Sequence, residues 1–193
     1  DAGTLATDSV VTGKIADGTI ANADIADLAA SKLTGALPAI SGASLTGFTD
    51  AQMPTGSVLQ VVQSGSTNAT TFTGTNTWNS HISATITPSS TSSKILVFAT
   101  QPVHIGGTAF LRGAIRVLRG STVIWNTISN KELFHVRNAE GEFDVVQTLQ
   151  YLDSPATTSA TIYTMQGALQ TGSTMSMWDS GRGTNITLME IAG

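Results

Sequence analysis

The sequence has no cysteine, which excludes disulfide stapling and thiolate chemistry and leaves the redox compartment unread. Charged residues make up only 11%, less than half of the usual quarter or so, and they form no basic cluster of the kind a nucleic-acid face requires. No apolar run reaches the roughly 20 residues of a membrane-spanning helix, and the amino terminus is not signal-like. Neither nucleic-acid binding nor membrane insertion is expected. No G-x-S-x-G elbow occurs, and His81, His104 and His135 stand apart without metal-ligand spacing. The expectation is a protein without catalytic residues, resident metal or cofactor. On a shared axis, however, one histidine per chain is enough to assemble a metal site.

Polarity comes instead from hydroxyls, since 30 Thr and 20 Ser make up about a quarter of the 193 residues. Threonine favours strands, while Ser, Gly and Asn favour turns, which points to an all-β protein with a neutral, hydroxyl-rich surface. The net charge of −4 sits unevenly. Residues 1–53 hold six Asp against Lys14 and Lys32, whereas residues 54–193 balance seven acidic with seven basic residues.

The amino-terminal stretch VVTGKIADGTIANADIAD places Val10, Ile15, Ile20 and Ile25 at five-residue intervals. Five steps turn an α-helix by about 140° net, which scatters these side chains around the rod. An odd step in a strand throws alternate ones to opposite faces. The spacing therefore requires either a chain that turns a corner at each repeat or one surrounded by partners. Twenty residues cannot stack into a core of their own. An intertwined oligomeric shaft is expected, with Val10, Ile15, Ile20, Ile25, Leu28 and Leu33 near the shared axis and Asp17, Asn22 and Asp27 in water. From Asn22 to Gly35 the spacing of Ile25, Leu28, Ala29, Lys32 and Leu33 fits a short capped helix, with extended chain as the alternative. Because the chain opens on Asp1, the expectation is of a longer protein whose anchoring end precedes it.

Residues 36–56 are dense in Gly and Pro and read as an ordered neck. From residue 57 onward, nine or ten strand-like runs follow one another with no helical interlude. Leu111, Ile115 and Val117 alternate with Arg112, Ala114 and Arg116. RGST predicts a two-residue hairpin at Gly120-Ser121. The expected organisation is a shaft over 1–35, a neck over 36–56 and an antiparallel β-sandwich or jelly-roll head over 57–193.

Two runs are apolar on both faces. In KILVFA, Leu96 and Phe98 oppose Ile95 and Val97; in ITLMEIA, Leu188 opposes Met189 and Ile191. A sandwich strand needs only one buried face, so the other face calls for a partner, most economically a second copy. NAEGEFD gathers Glu140, Glu142 and Asp144, read as a solvated loop. Two further segments suit surface recognition, where aromatic platforms and hydrogen-bonding groups meet a ligand. WDSGRGTN offers Trp178, Asp179, Arg182 and Asn185; FHVRNAEGEF offers His135, Arg137, Asn138 and Glu140. The competing reading makes Trp178 a core residue and the charges mere solvation of turns. Trp78 and Trp125 fall in strand patterns and read as packing residues.

The repeat TGKIADGTIANADIADLAASKL, the neck LPAISGASLTG and the head from GSVLQVVQ through ITPSSTSSKILVFA to ITLMEIAG together resemble the carboxy-terminal part of bacteriophage tail fibres, above all those of aquatic and cyanobacterial phages. The resemblance covers almost the whole chain, and the order of shaft, neck and head adds to its specificity. It implies a homotrimer, an attachment to other tail proteins through the amino-terminal end, an extracellular place on the virion tail, and a distal head that contacts host-surface carbohydrate or protein. A head fibre, collar or capsid-decoration protein would show the same pattern, and a non-viral trimeric adhesin is a third possibility.

Overall fold

The computed structural model describes residues 52–126, 134–177 and 183–193, together with 10, 13, 15–16, 18–21 and 49; at 108–109 and 134–140 it describes the backbone alone. The chain divides into two units, Asp1–Thr46 and Gly47–Gly193. In the first, Gly13 and Gly18 hold left-handed φ values of 87° and 79°. Thr19 closes a turn through its amide and hydroxyl onto the Ala16 carbonyl at 3.2 and 2.6 Å. One turn is thus closed within the described part of the repeat. The segment proposed as a short helix, with Ile25, Leu28 and Leu33, lies outside the described residues.

The second unit is all-β. Its strands are β1 (Val58–Ser66), β2 (Thr70–Phe72), β3 (Asn79–Ile86), β4 (Lys94–Arg119), β5 (Thr122–Asn126), β6 (Phe134–Asp153), β7 (Thr161–Thr171), β8 (Thr174–Met177) and β9 (Thr184–Ile191). Every pairing between them is antiparallel.

The 26-residue β4 organises the rest. Along one edge it meets β9 at 94–100, β8 at 103–106 and β7 at 112–119. Along the other it meets β6 at 95–113 and β5 at 116–119. The amino-terminal strands β1, β2 and β3 then line the far edges of β9, β8 and β7 in turn. Four long antiparallel runs therefore lie side by side, and folding them across the middle yields two four-stranded sheets. The first has the order β1, β9, amino-terminal β4, β6; the second has β3, β7, carboxy-terminal β4, β5. This connectivity is that of a jelly roll.

One core lies between the sheets. Ile95, Val97, Ala99, Ile186 and Leu188 from the first meet Ile82, Ile86, Ile115, Val117, Tyr163 and Met165 from the second. Alternation supplies these residues: Leu111, Ile115 and Val117 are fully buried, as the period-two pattern required.

Two sequence expectations are corrected here. SSKILVFATQ and AFLRGAIRVLR, which read in the sequence as two separate strands, contribute the two halves of a single one, Lys94–Arg119. Pro102 reads as a breaker, but it falls between the stretches of β4 that pair with β9 and with β8, where no amide donor is needed on that edge. Gly107 marks the corner, with φ at 152°; a Cβ there would stand 2.8 Å from the Ser173 backbone nitrogen. The segment carrying Glu140, Glu142 and Asp144 is likewise strand, not loop, since Phe134–Asp153 is continuous. The predicted hairpin does form, with Arg119 paired to Thr122 around Gly120.

Two buried carboxylates fasten the end of the sandwich opposite the corner. Glu190 accepts from the Gln60 side-chain amide, and from the backbone and hydroxyl of Ser89 at 2.7 Å each. It thereby ties the connection between β3 and β4 to β9. Burial alone would raise its pKa, but these donors outweigh burial and hold it below the ordinary glutamate value. Asp153 accepts from Arg119 and from Tyr163.

Candidate interaction surfaces

Because the core takes one face of each sheet, the outward faces are where ligands and partners can bind. On the first sheet the register aligns Val61, Met189, Leu96 and Leu152 across all four strands. Gln63, Thr187, Phe98 and Gln150 form the next row, and Val146 stands opposite Pro102. Val61 is 56% exposed and Leu152 49%. These side chains form a contiguous apolar stripe across the sheet, the kind of exposed surface that marks interaction sites when it is large. The side chains that gave KILVFA and ITLMEIA their second apolar face share this surface. A depression of about 330 Å³ opens on it at Phe98, Thr148, Leu149 and Gln150.

At the corner between the sheets, Thr71, Ser176, His104 and Asp144 form another cross-strand row. His104 Nδ1 lies 2.7 Å from Asp144 Oδ1, and Nε2 lies 3.9 Å from Glu142. The Thr71 and Ser176 hydroxyls are 2.7 Å apart. Thr71, His104, Glu142 and Ser176, with Ala69, border a crevice of about 290 Å³. Among the described residues no three His, Asp or Glu side chains converge as metal ligands.

The outward face of the second sheet mixes polar side chains with exposed Val123 and Ile162. Ser80, Gln166, Arg116 and Asn126 lie in register across β3, β7, β4 and β5. Ser83 and Thr164 follow in the next row, with Leu118 and Val123. The Arg116 guanidinium sits over the Trp78 indole, 4.2 Å from its ring centroid.

The sequence-predicted contact residues distribute unevenly over this frame. Asn185 lies in β9, half-buried, opposite Thr100 and Gly65, and its amide donates to the Gly183 carbonyl at 3.1 Å. Trp178, Asp179 and Arg182 lie outside the described residues. His135, Arg137, Asn138 and Glu140 belong to the backbone of β6, and their side chains are not described. Val10, Ile15 and Ile20 are 51%, 48% and 51% exposed. Sequence reasoning missed the pairing of Trp78 with Arg116 and that of His104 with Asp144. The only signal for the former was that Arg116 alternates with core residues and so had to point outward.

The sequence matches no protein-family model and no curated protein. Its fold is similar in part to the structure of infectious bursal disease virus, Gx strain, with 12% identity and a TM-score of 0.41 over 80% of this chain. The match spans 42% of that viral chain. A likeness of this depth assigns no function.

Proposed function

We propose that this chain is a trimeric virion fibre, the end of a phage tail fibre, whose jelly-roll head recognises the host surface. The observation that carries the reading is the apolar row Val61, Met189, Leu96 and Leu152 on the solvent side of the first sheet. Covering it with other copies of the head removes a patch that a lone soluble chain would leave in water. The five-residue repeat asks independently for the same remedy, because the branched side chains at 10, 15 and 20 are about half exposed. The trimer number comes from the resemblance to tail fibres. So does the place on the tail, with attachment through the amino-terminal end.

Recognition of surface carbohydrate or protein would then gain from several heads acting together, since linked weak sites raise avidity through effective concentration. The test has two parts. Native mass measurement should give three copies, and the purified trimer should bind host cells and compete with phage adsorption. A folded monomer, or a trimer that does neither, would sink the proposal. Immunogold labelling of virions separates tail from capsid, and label confined to the capsid would favour a head-fibre or decoration role.

A further inference from the structure

Among the described residues, the outward face of the second sheet carries an ordered cation, Arg116, that has no ion-pair partner. Across β3, β7, β5 and residues 112–119 of β4 there is no Asp or Glu, while Arg112 and Arg116 both project from the same side of β4. Arg116 is fixed from two directions. Its plane lies against Trp78, and its Nε donates to Gln166 Oε1 at 2.8 Å. Gln166 is itself held, its amide donating to the Ser80 hydroxyl at 3.0 Å. One pairing step beyond Asn79 and Gly167, Trp78 stands beside Ala168, which pairs with Ala114. Both alanines are fully buried although they sit on the outward face, so the platform under the arginine is packed down against the sheet.

The two terminal nitrogens of Arg116 have no hydrogen-bond partner among the described residues. A planar fork with Nε already engaged and its rotamer set matches a carboxylate in two-pronged fashion, and the ordering cost has been met before any ligand arrives. The neighbouring groups narrow the ligand class. Ser80 and Asn126 share the cross-strand row of Arg116, and Ser83 and Thr164 lie in the next row, offering hydroxyls and an amide on the same face, suited to a polyhydroxylated molecule.

We propose that Arg116, held by Trp78 and Gln166, binds the carboxylate of an acidic sugar such as a uronic acid within a surface polysaccharide. The site itself rests on the geometry of the second sheet. Its biological setting, host-surface recognition, rests on the function proposed above.

The experiment titrates the purified full chain with oligogalacturonate, with its methyl ester, which keeps every other hydroxyl and loses the charge, and with poly-glutamate. Calorimetry reports affinity, and tryptophan emission compared with that of Trp78→Leu reports the site. Oligogalacturonate should bind saturably, with the ester at least about tenfold weaker. Arg116→Gln should weaken binding by a similar factor without changing the melting temperature, and Arg116→Lys should not restore it. Absence of saturable binding at millimolar oligogalacturonate, equal binding of the ester or of poly-glutamate, or an unaffected Arg116→Gln would each overturn the site. A trimer that adsorbs to host cells yet ignores uronates defeats this site alone. A chain that binds uronates but neither trimerises nor adsorbs to cells defeats the fibre reading and leaves the site standing.

Discussion

Arg119 and Asp153 join the two sheets at the end of the sandwich away from the corner. Arg119 closes β4 in the second sheet and Asp153 closes β6 in the first, and one guanidinium nitrogen lies 2.9 Å from each carboxylate oxygen. The Tyr163 hydroxyl donates to the same carboxylate at 2.7 Å. Burial, and then this bond to Asp153, pushes the phenol's pKa far up, so it remains a donor throughout the working range. The two sheets share a core, and at this end the clasp works together with Glu190, which ties the connection after β3 to β9. Asp153→Ala removes the acceptor from both donors and should cost about 3–5 kcal/mol in denaturant unfolding. Tyr163→Phe, which removes one hydrogen bond and leaves the ion pair, should cost only about 1 kcal/mol. Equal losses from the two would contradict a clasp centred on the carboxylate.

Glu190 gives the head a defined response to acid. Its folded pKa lies below the ordinary value of 4.5 because donors from Gln60 and Ser89 favour the carboxylate more than burial disfavours it. Between the depressed folded value and 4.5 the unfolded state binds more protons. The stabilisation from this group is therefore complete above pH 4.5 or so and is lost as pH falls through the folded value. Unfolding free energy measured from pH 7 to pH 3 should stay level from this source and then drop. Glu190→Gln should be less stable at pH 7 and should show a shallower drop. A parallel acid limb in the variant would assign the effect to other groups.

Gly107 is a structural necessity of the corner. Its φ of 152° and the Ser173 nitrogen, 2.8 Å from where a Cβ would stand, oppose any side chain twice over. Gly107→Ala should lose at least ~2 kcal/mol. Gly120→Ala provides the control, because its φ of 55° is also left-handed but a Cβ there meets nothing within 4 Å. It should cost about 1 kcal/mol.

How far the sequence could be read follows from how local each determinant is. Alternation is local, so the sequence places Leu111, Ile115 and Val117 together on one face, which is the buried one, and gives KILVFA a second apolar face, which lies outside the core. The Gly120 hairpin is equally local. The continuity of β4 through Pro102 and Gly107 was hidden, because whether a proline breaks a strand depends on which neighbour lies along its amide edge, and β8 and β9 lie more than 70 residues downstream. The same distance hid the sites. Arg116 meets Trp78 across 38 positions of chain and His104 meets Asp144 across 40, and neither pairing leaves a motif. The acidic run at 140–144 looked like a loop because carboxylates are rare in strands, yet Asp144 is accommodated by its cross-strand His104.

The apolar row of the first sheet yields the prediction that bears most directly on assembly. Leu96 is the central member, flanked by Met189 on one side and Leu152 on the other. If other copies cover this row, Leu96→Glu places an unpaired charge in the interface and should dissociate the oligomer. It should leave the fold intact, because Leu96 points away from the core that its neighbours Ile95 and Val97 fill. Ser83→Glu adds the same charge to the outward face of the second sheet and should leave the mass unchanged. Within the repeat, Ile20→Asp should weaken assembly more than Asp17→Ala, since only the first puts charge where the exposed isoleucine would meet partners. Light scattering with circular dichroism reads all four variants. Should Leu96→Glu keep the wild-type mass with a native spectrum, the row is not the interface. A wild-type chain that is itself monomeric would leave Val61, Leu96 and Leu152 in water and remove the basis for the fibre.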